Sequence, residues 1–112
     1  MSRQLDLDAL STSFATIARQ RGWSELHTPR NLACAVSVEA AELLALFQWQ
    51  LDNSARPEAA APARERVAEE LADILLYCNA LADALAIDLA SAVRSKMETN
   101  ARRSHLENAK GD

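Results

Sequence analysis

The sequence predicts an all-α protein, a four-helix bundle-like fold whose copies associate into an oligomer. Three observations predict it. Alanine and leucine dominate a hydrophobic fraction of 49%, and both favour helix. The β-branched and aromatic residues that favour strands are sparse, with aromatics at 4%. Apolar residues recur at helical spacing in four stretches, separated by Gly, Pro and polar breaks. At 112 residues the chain is long enough for one domain with a real core and hardly for two, so residues 1–112 read as a single domain.

The first helix is expected from about Asp6 to Arg21, with Leu10, Phe14, Ile17 and Ala18 in one stripe and Gly22 placed to end it. The segment WSELHTPRN is a connector. Within it, Thr28 followed by Pro29 has the form of a helix start, an N-cap and then proline at the first helical position. The second helix is expected from about Pro29 to Leu51. DNSARPEAAAP then breaks the pattern with two prolines and reads as a surface loop. The third helix is expected from about Ala63 to Leu85. Asp88 is the N-cap of a fourth, which reaches about Arg103 and leaves residues 104–112 as a flexible polar tail.

The second and third helices are apolar on more than one side. Leu44 lies far round from Leu32 and Leu43, and Leu76 faces away from Val67, Leu71 and Leu75. A four-helix monomer buries one stripe per helix, so the extra apolar sides point to a homo-oligomer.

Composition excludes several classes of function. The net charge is -4, which speaks against nucleic acid or an anionic membrane as partner, since both select basic surfaces. Cys34 and Cys78 form no CxxC pair and read as small core residues in a reducing compartment. MSRQLDLDALST has no apolar run of signal-peptide type, and no stretch approaches the roughly 18 apolar residues of a membrane span, so the cytoplasm is the expected location. The two glycines, Gly22 and Gly111, lie in no repeated-glycine loop. A Walker loop or a dinucleotide fingerprint is therefore excluded, and any phosphate must be held by metal ions and Lys or Arg side chains.

Two helices carry carboxylates where apolar residues are expected. In SVEAAELLALFQW, Glu39 falls within the sector of Leu32, Val36, Leu43 and Leu46, and Glu42 falls on its flank near Val38 and Trp49. In AEELADILLY, Glu70 and Asp73 lie at the edge of the stripe of Val67, Ile74 and Leu81, with Tyr77 on the same side. Residues three apart share a helix face, so each pair aims two carboxylates at one volume. If the helices pack face to face, four carboxylates converge, and either raised pKa values or cations must relieve the repulsion. An all-oxygen donor set suits Mg²⁺, with Mn²⁺ as a substitute. Di-iron chemistry fits poorly, because neither His27 nor His105 stands three residues after a glutamate. On the fourth helix Lys96, Asn100 and Arg103 share one face, as a phosphate-binding surface or as an exposed basic helix end. A reading from another class stays open: a non-catalytic helical interaction module whose acidic face meets a basic partner.

EAAELLALFQW followed by EELADILLY resembles the MazG-like all-α nucleoside triphosphate pyrophosphohydrolases, whose mark is ExxE on one helix and ExxD on the next. RGWSELHTPRNLACAVSVEAAELLALFQW and SKMETNARR are most similar to the dCTP pyrophosphatase branch. The resemblance implies that Glu39, Glu42, Glu70 and Asp73 are metal ligands in a Mg²⁺-dependent catalytic centre. It implies that Trp23, His27, Trp49 and Tyr77 line a nucleoside pocket, and that Lys96, Asn100 and Arg103 meet the triphosphate. The expected reaction converts a nucleoside triphosphate and water into the monophosphate and pyrophosphate, with dCTP or a modified dCTP as substrate, in cleansing of the nucleotide pool. The branch also implies a homodimer or homotetramer. Two positions depart from the pattern: Ser104 and His105 replace a Tyr-Pro found in many members, and Val38 replaces a glutamate proposed as general base in some.

Overall fold

In the computed structural model the described residues are 3–48 and 61–111, with the side chains of 61–63 and 106–111 excepted. Among them the chain forms four α-helices and no strand: α1 (Leu7–Gln20), α2 (Pro29–Ala45), α3 (Ala61–Ala84) and α4 (Leu89–Gly111). A 3₁₀ turn, Ser24–Leu26, lies between α1 and α2.

The helix ends follow from identifiable side chains. Asp6 caps α1 by accepting from the backbone N–H of Ala9 at 3.0 Å. Thr28 caps α2 by accepting from Asn31 N–H at 3.2 Å, with Pro29 at the first helical position. Asp88 caps α4 by accepting from Ser91 N–H at 3.1 Å. That bond to Ser91 holds the Asp88 carboxyl below its ordinary range. At the end of α1, Gly22 adopts φ +72°. The Trp23 N–H then reaches Ala18 O at 2.7 Å, and the Gly22 N–H reaches Arg19 O at 3.2 Å. This is a Schellman motif, and its left-handed position is the one that favours glycine. The same motif ends α3 without glycine: Ala86 has φ 54°, and the Ile87 N–H reaches Ala82 O at 2.8 Å.

Two boundaries differ from the sequence expectation. α2 ends at Ala45 rather than near Leu51, because Leu46, Phe47 and Gln48 tighten into a three-residue hydrogen-bonding pattern. α4 runs past Arg103 to Gly111, through SHLENAK, which contains no proline and several good helix formers. Trp49 and most of the expected surface loop lie outside the described residues.

The central unit is the α2–α3 pair, with α1 laid against α3. Its apolar core is small-residue in character: Ala18, Leu32, Ala80 and Ala82 are buried. Alanines let helix backbones approach closely, so polar groups at the contact are held tightly as well. Asn79, 5% exposed, donates from α3 to Leu7 O at 3.3 Å and Ser11 Oγ at 3.0 Å on α1. Cys34 is exposed rather than in the core, since two residues on from buried Leu32 it lies on the far side of α2. Cys78 is half-buried.

α3 and α4 meet at 106°, and among the described residues α4 touches the other helices only sparsely. Large apolar side chains remain open along α2, α3 and α4, including Val38, Leu44, Leu71, Leu75, Val93 and Met97. The radius of gyration is 17.7 Å, against about 13 Å for a compact domain of this length. No single described helix is long and apolar enough to cross a membrane.

Because Ala86 is held in the left-handed region, Ala86→Gly should stabilise the protein. Relief of the left-handed strain, about 1–2 kcal/mol, outweighs the extra chain entropy of glycine, about 0.5–1 kcal/mol. Urea denaturation read by circular dichroism checks this, and a lowered midpoint would contradict it.

Candidate metal centre

The i, i+3 spacing carries through to the structure. Glu39 projects from α2, and Glu70 and Asp73 project from α3, at the face where the two helices meet. Each of the three offers a carboxylate oxygen, and the three oxygens lie within 4.8 Å of one another. Glu70 is 7% exposed, while Glu39 and Asp73 are half-buried. Glu42 is exposed and stands outside the trio, close enough to act on Glu39.

The electrostatics are those of crowded like charges. Glu39 Oε2 and Glu70 Oε2 are both buried with no hydrogen-bond partner. When both carboxylates are ionised, neither has a proton to offer the other. The Glu70 carboxyl facing Glu39 is the largest cause of a Glu39 pKa raised from 4.5 to about 7. Burial adds to the rise, followed by the charges of Glu42 and Asp73. Orphaned, buried, anionic oxygens from hard carboxylate donors are a fitting set for a divalent cation such as Mg²⁺.

An aromatic wall adjoins this centre. Tyr77 stands one helical turn beyond Asp73 on α3, hence on the same face. Its ring meets Phe14 edge-on, with centroids 5.8 Å apart at 81°. His27, half-buried, lies on the other side of Phe14 at 5.1 Å and 34°. Trp23 is 42% exposed, with the Arg21 guanidinium 5.0 Å over its ring. Phe14, Ile17, Ala18, Trp23, His27 and Tyr77 line a cavity of about 70 Å³. Phe14, Ala18 and His27 also border a second cavity of about 270 Å³. A larger cavity, about 510 Å³, lies where the start of α1 meets the α3–α4 turn; it is lined by neither the Glu39–Glu70–Asp73 trio nor the aromatic rings.

The structure therefore brings Glu39, Glu70 and Asp73 together, with Glu42 beside them, and separately gathers Trp23, His27 and Tyr77. Trp49 lies outside the described residues. Lys96, Asn100 and Arg103 are exposed on α4 and line none of these cavities. Phe14 is the pocket residue that sequence reasoning missed. Its place in the α1 apolar stripe made it look like core, and nothing local to α1 signals that His27 and Tyr77 converge on its ring.

Residues 34–112 match the model of the MazG-like family. Bovine dCTP pyrophosphatase 1 is 43% identical over 112 residues, covering 98% of this chain and 66% of that protein. Human dCTP pyrophosphatase 1 is 44% identical over 99 residues, covering 87% of this chain and 58% of that protein. The chain thus spans less than two thirds of the length of the curated relatives it matches. The crystal structure of a pyrophosphatase from Archaeoglobus fulgidus superposes with a TM-score of 0.79 at 36% identity, covering 92% of this chain and 95% of that one.

The raised pKa of Glu39 has a consequence for stability without metal. Between about pH 4.5 and 7 the folded state keeps a proton that the unfolded state has released. Stability from this group is fully present below 4.5 and is lost as pH rises through 7. In chelator, the melting temperature should fall from pH 5 to pH 8, and Glu39→Gln should flatten that slope. Thermal melts of both proteins across this range check it; equal slopes would refute it.

Proposed function

The chain belongs to the MazG-like family, and from that premise we propose that it is a metal-dependent nucleoside triphosphate pyrophosphohydrolase. It converts a (d)NTP and water into the (d)NMP and pyrophosphate. The observation that carries this reading is the trio of carboxylates, one buried and two half-buried, whose oxygens lie within 4.8 Å of one another one turn of α3 from an aromatic cavity. The former suits a divalent cation and hence phosphate chemistry; the latter suits a base. The likeness to bovine and human dCTP pyrophosphatase 1 supports dCTP, or a 5-modified dCTP, as substrate. The role that follows is cleansing of the cytoplasmic nucleotide pool.

In this mechanism Glu39, Glu70 and Asp73, with Glu42 at the rim, would hold Mg²⁺, and Mn²⁺ would substitute for it. When bound, the metal supplies charge neutralisation at the phosphates and acidifies water for attack at the α-phosphorus. Glu39, whose pKa without metal is raised to about 7, would bind the cation as the carboxylate. Val38 offers no base, so one of the four carboxylates would take the proton of the attacking water. Trp23, Tyr77 and Trp49 enclose the base, and the His27 ring donates or accepts at base or sugar. Lys96 and Arg103, with Asn100 between them on α4, steady the charge of the departing pyrophosphate.

Self-association belongs to the same reading. The open apolar side chains of Leu71, Leu75, Val93 and Met97 are a surface of the kind that a second copy covers in a homodimer or homotetramer.

Pyrophosphate release measured over canonical and 5-modified dNTPs should show Mg²⁺-dependent turnover, highest with dCTP or its derivatives. Glu39→Gln and Asp73→Asn should each lose about 10²-fold or more, the scale on which removal of one charge-stabilising group acts. Mg²⁺ should also raise the melting temperature of the unmutated protein and leave that of both variants unmoved. Absence of turnover and of any metal shift would leave a non-catalytic interaction module instead. Light scattering should give a mass two or four times the 12.2 kDa protomer, and Leu71→Glu with Leu75→Lys should reduce it.

A further inference from the structure

We infer that Asn31 is a positioning residue for the nucleoside-binding wall, latching the connector that carries Trp23 and His27 onto the start of α2. The inference rests on the proposed function, since it takes that wall to be where the nucleoside binds. Asn31 is exposed and so contributes little to packing. Its Nδ2 nevertheless donates to Leu26 O at 2.8 Å, reaching back across five residues.

The accepting group explains the consequence. Leu26 O belongs to the same rigid peptide plane as the His27 N–H. That N–H donates to Ser24 O at 3.2 Å, and the Leu26 N–H donates to Trp23 O at 2.9 Å. Asn31 therefore holds one edge of the plane while the 3₁₀ turn holds the other. The orientation of that plane sets where the His27 side chain leaves the backbone, and hence how its ring meets Phe14 at 5.1 Å. Side-chain packing adds little to hold the middle of the connector, for Leu26 is 60% exposed and Trp23 42% exposed. Water can satisfy Leu26 O if Asn31 is replaced, so the fold survives. What is lost is preorganisation of the wall, which is paid at substrate binding.

The test compares steady-state kinetics on dCTP, inhibition by inorganic tripolyphosphate, and melting temperature. Asn31→Ala and Asn31→Asp should both raise KM by about three- to tenfold, the scale of ordering a side chain or two, with kcat within about twofold. Inhibition by tripolyphosphate, which has no nucleoside, should be unchanged. Thr28→Ala, which removes the α2 cap but keeps the latch, should lower the melting temperature while leaving KM in place. A KM change in Asn31→Asp alone would be a charge effect on the substrate and would overturn the latch. So would equal KM changes in Thr28→Ala, which would mean general loosening of the helix start. His27→Ala separates the two levels. If it raises KM while the Asn31 variants do not, only the latch falls. If it leaves KM unchanged in an active enzyme, the placing of the nucleoside at this wall falls and the latch with it.

Discussion

The structure depends on how two carboxylates are tolerated at a helix contact. Glu39 and Glu70 meet where α2 packs on α3, and each leaves a buried oxygen without a donor. A like-charged pair in such a place resists the packing that creates it. Only a proton or a cation relieves it. The raised Glu39 pKa is the proton's answer. On the proposed function the cation is the other answer, and the two compete for the same oxygens. Helix packing, proton uptake and metal affinity are then a single linked equilibrium. On the proposed function, the repulsion that would be a defect in an inert bundle becomes the source of affinity for a divalent ion.

Around this contact the protein relies on local devices more than on a large core. Among the described residues its buried apolar side chains are three alanines and one leucine. Side-chain caps at Asp6, Thr28 and Asp88 start three helices, and Schellman motifs at Gly22 and Ala86 end two. These ends aim the connectors. The Gly22 turn brings Trp23 back over α1, and the Thr28 start returns the chain along α3, so the connector between them faces Phe14 and Tyr77. The aromatic wall is thus a product of helix punctuation, whereas the carboxylate cluster is a product of helix pairing.

That difference explains what could be read from the sequence. Caps, glycine stops and i, i+3 spacing are local, so the four helices, the Thr28 and Asp88 starts and the shared faces of Glu39–Glu42 and Glu70–Asp73 were all legible. What depends on tertiary contact was not. Phe14 gave no sign that two rings from distant segments meet it. Cys34 read as core from residue type alone, although its position relative to Leu32 turns it outward. The α3 stop was hidden because alanine occupies a position where glycine is the usual signal. Glu42 shares its helix face with Glu39 yet stands outside the trio, since the reach of α3 past α2 is not encoded in α2.

The two chemical halves of the proposed site are ordered by different means. The acidic half lies on α2 and α3, which hold each other. The basic half, Lys96, Asn100 and Arg103, lies on α4, which leaves α3 at 106° and among the described residues touches the other helices sparsely. A helix with Val93 and Met97 open to water gains little by standing alone. On the proposed self-association, covering that face fixes α4 and with it the charges that steady pyrophosphate. Metal affinity would then belong to the protomer, and phosphate handling to the assembly.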